Sequence, residues 1–154
     1  MNETAQRYFD EFLADLPTDS PYHSRRVLAE GWGDGPALAD ELGALIAAGI
    51  KTATCSALAE WKHDGEELPQ SRMLTVVLDG ADAPLCIVET SEVTIMPFNQ
   101  VPAEFACDEG EGDCSLAYWR AGHQRFFERT FARIGGQFSE DMLLVCERFR
   151  KIYP

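Results

Sequence analysis

Three runs limit what this chain can fold into: MLTVVLDG (73–80), PLCIVETSEVTIMPF (84–98) and MLLVCERFRKIY (142–153). They are rich in Val, Ile, Leu and Thr, are bounded by Gly, Pro or Asp, and read as strands. A fourth strand fits residues 52–61. Between the last two runs lies a helical block, a short turn near PAEFACDE followed by SLAYWRAGHQRFFERTFARIG, which the Gly135–Gly136 pair ends. Strands and helices therefore do not alternate regularly. That order predicts an α+β fold, with a mostly antiparallel sheet or small β-barrel and flanking helices.

The N-terminal third reads as two helices joined by irregular chain. Ala5, Tyr8, Phe9, Phe12, Leu13 and Leu16 recur at helical spacing over residues 3–16, and Pro17 closes the run. The second helix has Asp34 as its cap, Pro36 in its first turn, one face of Leu38, Leu42, Leu45 and Ile46, and Gly49 just past its end. The intervening PTDSPYHSRRVLAEGWGDG carries His23, Arg25, Arg26 and Trp32. Such an arginine and aromatic mixture suits a loop that covers a ligand, or one that packs over the core. Residues 1–31 are thus an N-terminal helix and covering loop on a single domain of 154 residues.

Composition narrows the function. Thirteen basic against 26 acidic residues give a net charge of −13, which argues against a long duplex nucleic acid as partner. A small ligand, or a short single strand in a local basic cleft, stays compatible. No apolar run approaches the roughly 20 residues that span a bilayer, so a soluble protein with no membrane partner is expected. Five cysteines stand at 55, 86, 107, 114 and 146, with no C-x-x-C spacing, which removes the zinc-knuckle and thioredoxin-type motifs. With no signal peptide in evidence, the expectation is a cytoplasmic protein whose thiols stay reduced.

Lys51, the only lysine in the first 61 residues, leaves the second helix three positions before Thr54. It can bind the helix's C-terminal carbonyls, or it can activate the threonine hydroxyl. A lysine accepts that proton only where burial or a nearby positive charge favours its neutral form. The second candidate is CDEGEGDCS (107–115), with four carboxylates in six positions. Glu109 could orient or protonate a reacting group, and Glu111 and Asp113 could hold a hard cation such as magnesium. Alternatively the loop is a helix entry capped by Asp113 or Ser115. His123 stands four residues from both Trp119 and Phe127, the position of a partly buried, hydrogen-bonded histidine.

Taken together, ADELGALIAAGIKTAT, PLCIVETSEVTIMPF, AEFACDEGEGDCSLAYWRAGHQRFF and VCERFRKIY resemble the bacterial ASCH-domain proteins over about residues 32–153. The resemblance implies a PUA-like β-barrel and a link to RNA or nucleosides. In the amidohydrolase branch, which removes an acyl group from the 4-amino group of acylated cytidine, it implies Lys51, Thr54 and Glu109 as the catalytic set, with no cofactor. Lys51 would take the proton of Thr54, Thr54 would attack the amide, and Glu109 would pass a proton to the leaving amine. In the ribonuclease branch it implies short single-stranded RNA as substrate with Mg2+, for which Glu111 and Asp113 are the candidate ligands. Arg25, Arg26, Trp32, Arg125 and Arg129 are the candidate substrate contacts under either reading, and Arg133 extends the row of Arg125 and Arg129 in a cleft for RNA. A non-catalytic reader of a nucleobase is the third expectation. One departure is Cys114, which stands where a basic residue is expected before the S-L-x-Y-W run.

Overall fold

Every residue of the run Leu74–Leu78 is buried, so this strand has no wet face. Alternate side chains leave a strand on opposite faces, and each set here finds a separate core. Leu74, Val76 and Leu78 pack with Ala5, Phe9 and Phe12, whereas Val77 packs with Ile46, Cys86, Val88 and Phe149. Burial on both faces explains why the run is continuously apolar.

The computed structural model describes residues 1–154. Its sheet contains β1 (Val27–Glu30), β2 (Ala53–Ala57), β3 (Leu74–Leu78), β4 (Pro84–Pro97) and β5 (Leu143–Tyr153), in the order β1-β3-β4-β5-β2. β3–β4 and β2–β5 pair antiparallel, and β1–β3 pairs parallel. The helices are α1 (Glu3–Ala14), α2 (Pro36–Ala47), α3 (Leu58–Asp64), α4 (Ala103–Asp108) and α5 (Leu116–Arg133). The class is α+β with a mostly antiparallel sheet, as the element order predicts. The outer strands β1 and β2 each have one neighbour, so the sheet is open and not a closed barrel.

Three local expectations are corrected. The stretch read as an irregular covering loop contains β1, which β3 recruits: Val27 to Glu30 register against Leu74 to Val77, and the Arg26 carbonyl accepts from the Leu74 N–H. Only the long-range partner makes so short a segment a strand. The strand expected over 52–61 ends at Ala57, because Leu58–Asp64 turns into α3 and closes on Gly65 with φ +68. The N-cap of α2 is Gly35, with no side-chain cap bond, in place of Asp34. Gly49 does close α2, with φ +76.

The chain packs as two compact units, one of Met1–Gly49, Gln70–Ser91 and Phe149–Pro154, the other of Ile50–Pro69 and Glu92–Arg148. The first holds the two cores around β3. It also buries Glu89, whose carboxylate meets Arg25 on one oxygen and Arg150 on the other at 2.7 Å, with the Tyr22 hydroxyl at 3.4 Å. Burial pushes the Glu89 carboxyl up, but hydrogen bonds from Arg150 and Arg25 outweigh it and hold the group below its ordinary value.

The second unit is built on aromatic rings. Trp119, Phe127 and Phe131 of α5 meet Phe98, Phe105 and Leu144. Phe98 stacks on Trp119 at 5.2 Å and meets Phe127 edge-on at 6.4 Å. Phe127 is fully buried at the centre of this cluster. Truncating it leaves a cavity that the surrounding rings cannot fill. Phe127→Ala should cost about 3–5 kcal/mol in chemical denaturation; a loss below about 1 kcal/mol would show that this unit does not depend on the cluster.

Candidate functional site

Lys51 is 2% exposed, a burial that its ammonium charge does not favour without counter-charges. The second unit supplies them from the segment after α4. The Lys51 ammonium donates to the Glu109 carbonyl at 3.3 Å, and stands 3.6 Å from Glu111 Oε2 and 3.9 Å from Glu109 Oε1. The backbones are as close as the side chains. The Thr52 N–H donates to the Asp108 carbonyl at 2.8 Å. Gly110 has φ +72, and a Cβ there would lie 2.8 Å from the Ile50 carbonyl oxygen. The glycines of EGEG are therefore required by a close approach as well as by a turn. The helix-carbonyl role open to Lys51 is filled by Lys151, which donates to the Ala47 carbonyl at 2.6 Å.

Glu109 is fully buried where α4 ends, and its N–H donates to the Phe105 carbonyl. Its Oε2 accepts from Trp119 Nε1 and lies 2.7 Å from His123 Nε2. His123 Nδ1 is 2.9 Å from the Trp119 carbonyl, and its ring stacks on the Trp119 indole at 4.3 Å. With Nδ1–H directed to a carbonyl, Nε2 faces a carboxylate oxygen at hydrogen-bond distance. That contact is favourable only with a proton between them, so the pair is an imidazolium on a carboxylate.

Electrostatics agree with the geometry. Burial pushes the Glu109 carboxyl up, but the charges of Lys51 and His123 and the bonds from His123 and Trp119 bring it below its ordinary 4.5. Burial likewise pushes His123 down, and Glu109, followed by Glu111, reverses this and lifts it above its ordinary 6.5. Cys55 is driven well up by burial and by the Glu109 charge, so it is a neutral thiol. Glu109 Oε1 is the exception in this cluster: it is buried with no hydrogen-bond partner.

The structure separates the residues singled out from the sequence. Lys51, Glu109 and Glu111 come together, and both acidic candidates for the loop take part, Glu109 buried and Glu111 at the rim. Thr54 lies on β2 opposite Glu147 of β5. Its neighbours Ala53 and Cys55 are turned toward the aromatic core, and strand alternation directs Thr54 to the other face. The polar contacts of Lys51 go to Glu109 and Glu111 and none to Thr54. Asp113 accepts from the Ser115 N–H at 2.9 Å and Ser115 caps α5, so this part of the loop is a helix entry. Arg125 and Arg129 are exposed on α5, Arg129 over the Phe126 ring. Arg25 is engaged with Glu89, and Trp32 packs edge-on against Phe149 at 5.0 Å while donating to Glu30. Arg26 contributes its carbonyl to β3.

His123 is partly buried and hydrogen-bonded, as expected from the sequence, but its place in the site was not legible there. Its spacing to Trp119 and Phe127 is that of a core histidine, and only the Glu109 contact distinguishes it. The expectation that all thiols stay reduced is overturned by a disulfide joining Cys107 to Cys114, with Cys55, Cys86 and Cys146 free. Neither partner belongs to a recognisable motif. As for metals, Cys55, Glu109 and His123 place one ligand atom each within 4.8 Å of one another. Imidazole, carboxylate and thiolate together suit zinc. In this arrangement, however, a proton already joins the histidine to the carboxylate, and the Lys51 cation stands beside it.

Because the two groups titrate as a pair, stability should follow pH in a defined way. The His123 contribution is complete below about 6.5 and is lost as pH rises through its lifted value; the Glu109 contribution is complete above about 4.5 and is lost as pH falls through its lowered value. The pairing is therefore strongest between those limits. The stability gap between the native protein and His123→Gln should shrink as pH rises from about 6 to about 9, measured by denaturant unfolding at each pH. A gap that stays constant would mean that His123 is neutral throughout.

The sequence profile of the ASCH domain matches residues 30–153. The fold is similar over 100% of this chain, and 97% of the other, to an ASCH domain from Lactobacillus crispatus JV V101, with 35% identity and a TM-score of 0.94. It is similar over 99% of the chain, and 90% of the other, to protein EF3133 from Enterococcus faecalis V583, with 36% identity and a TM-score of 0.84. No curated protein matches the sequence. No helix is long and apolar enough to cross a membrane. This chain, with its buried Lys51–Glu109–His123 cluster, belongs to the ASCH-domain family.

Proposed function

We propose that the Lys51–Glu109–His123 site binds the base of a modified nucleoside, free or within short single-stranded RNA, and removes an acyl group from the 4-amino group of acylated cytidine. One observation carries this reading. A buried cation with a single long hydrogen bond, Lys51, lies beside a buried carboxylate oxygen with none, Glu109 Oε1. An acyl carbonyl with an attacking water complements that pair: the carbonyl oxygen accepts from Lys51 and the water donates to Glu109 Oε1. The net charge of −13 suits a neutral nucleobase better than a long polyanion. Glu111 and Asp113, the magnesium pair of the ribonuclease expectation, have separate tasks, one at Lys51 and one at the α5 cap.

The chemistry follows from the charges. Water attacks the acyl carbon while Glu109 takes its proton, and the carbonyl oxygen becomes an oxyanion held by Lys51. Collapse of the tetrahedral intermediate breaks the C–N bond. His123 Nε2–H protonates the departing 4-amino group, and the proton on Glu109 restores the imidazolium. The products are a carboxylic acid and the free amine. The resemblance assigns the attack to Thr54 instead, and the two routes are separable by mutation.

Purified protein incubated with acetylcytidine should release cytidine, read by mass spectrometry. Lys51→Met should lower kcat about 10²–10³-fold, the loss typical of a removed oxyanion donor. Thr54→Ala should retain turnover under the water route. Its complete loss would restore Thr54 as nucleophile. Full activity in a folded Lys51→Met protein would overturn the assignment. Saturable binding without turnover would make the same residues contacts of a non-catalytic reader.

A further inference from the structure

The segment that carries both acidic residues of the site is tied at its two ends. Cys107 and Cys114, seven positions apart, are joined, and Glu109 and Glu111 lie between them. Both sulfur-bearing residues are exposed, so small thiols can reach the bond. Within the tether Glu109 is held independently, by its own helix end, by Trp119 and by His123. Glu111 is not. Its carboxylate reaches Lys51 at 3.6 Å and His123 at 3.9 Å, neither within hydrogen-bond distance, and its carbonyl accepts only a 3.4 Å bond from the Cys114 N–H. The residues on either side, Gly110 and Gly112, have φ +72 and +62, and Cys114 itself has φ +67. Two glycines leave this stretch many alternative conformations once an end is released.

We propose that Cys107–Cys114 is a thiol-exchange site whose redox state decides whether Glu111 covers Lys51 and Glu109. In the disulfide form the short tether keeps Glu111 on the rim, between the buried cluster and solvent. A low-molecular-weight thiolate attacks one exposed sulfur, the S–S bond breaks, and a mixed disulfide forms while the other cysteine leaves as thiolate. A second thiol resolves the mixed disulfide. The two small thiols are then oxidised to their own disulfide, and both cysteines end as thiols after taking up protons. A low-molecular-weight disulfide drives the reverse. Reduction frees Glu111 and uncovers Lys51 and Glu109; oxidation restores the cover. Opening toward a ligand rests on the site reading given above, whereas the exchange and the movement of Glu111 do not.

The test therefore uses two readouts that need no substrate. Alkylation after denaturation should label three of the five cysteines in oxidised protein, and all five after native treatment with dithiothreitol, with Cys107 and Cys114 gained. The His123 imidazole, which faces Glu109, Glu111 and Cys55, should then titrate lower in NMR, because Glu111 has left it. Glu111→Gln should lower the titration already in the oxidised form and remove the redox response. Cys107→Ser should behave as the reduced protein throughout. The proposal is overturned if dithiothreitol leaves the native bond intact, or if His123 titrates alike in both redox states. If both readouts respond and acetylcytidine is not cleaved, the exchange site stands and the deacylase reading falls.

Discussion

A cation cannot be kept from water without company, and the arrangement of the second unit follows from satisfying Lys51. Its burial requires carboxylates, which arrive on a segment whose glycines let it approach the Ile50–Thr52 backbone closely. Those carboxylates must in turn be held as anions in an apolar surrounding, and α5 meets that need with His123 and the Trp119 indole on Glu109 Oε2. The aromatic packing around Phe98 and Phe127 fixes α5, and so fixes the histidine. Core and site are one construction here: the rings that stabilise the unit also orient the proton donor.

The two buried carboxylates of the protein make a useful contrast. Glu89 is satisfied on both oxygens by Arg25, Arg150 and Tyr22, and reads as a structural tie within the first unit. Glu109 is saturated on one oxygen and without a hydrogen-bond partner on the other. A buried acceptor left in that state costs free energy that folding alone does not recover. Such a cost is characteristic of a group kept for a ligand, which is why the functional reading rests on Glu109 and not on Glu89. Of the residues that the sequence suggested as ligand contacts, Arg25 is engaged by Glu89 and Trp32 packs on Phe149.

The sequence was most legible where signals are local. Runs rich in Val, Ile, Leu and Thr locate β3, β4 and β5, and Gly49 and Pro36 bracket α2. Lys51 and the CDEGEGDCS loop stand out locally, but only the family pattern selects Glu109 within that loop and joins it to Lys51. What stayed hidden depends on distant partners. β1 is a strand because β3 pairs with it, α3 replaces the second half of an expected strand, and the Cys107–Cys114 bond joins residues with no motif spacing. His123 is partly buried and hydrogen-bonded, as its helical spacing among rings predicts, but the identity of its partner, Glu109, exists only once α4 and α5 are assembled. Thr54, the nucleophile that the family resemblance implies, lies on β2 opposite Glu147, and no local signal in the sequence indicates which face it takes.

The central claim is that Lys51 and Glu109 form a coupled buried pair and not two separately solvated charges. A double-mutant cycle of Lys51→Met and Glu109→Gln in unfolding free energy measures that coupling directly. Each single variant strands a buried charge, so the double variant should be less destabilised than the sum of the two by about 1–3 kcal/mol. Simple additivity would contradict the account, because it would mean that neither charge depends on the other for its place inside the protein.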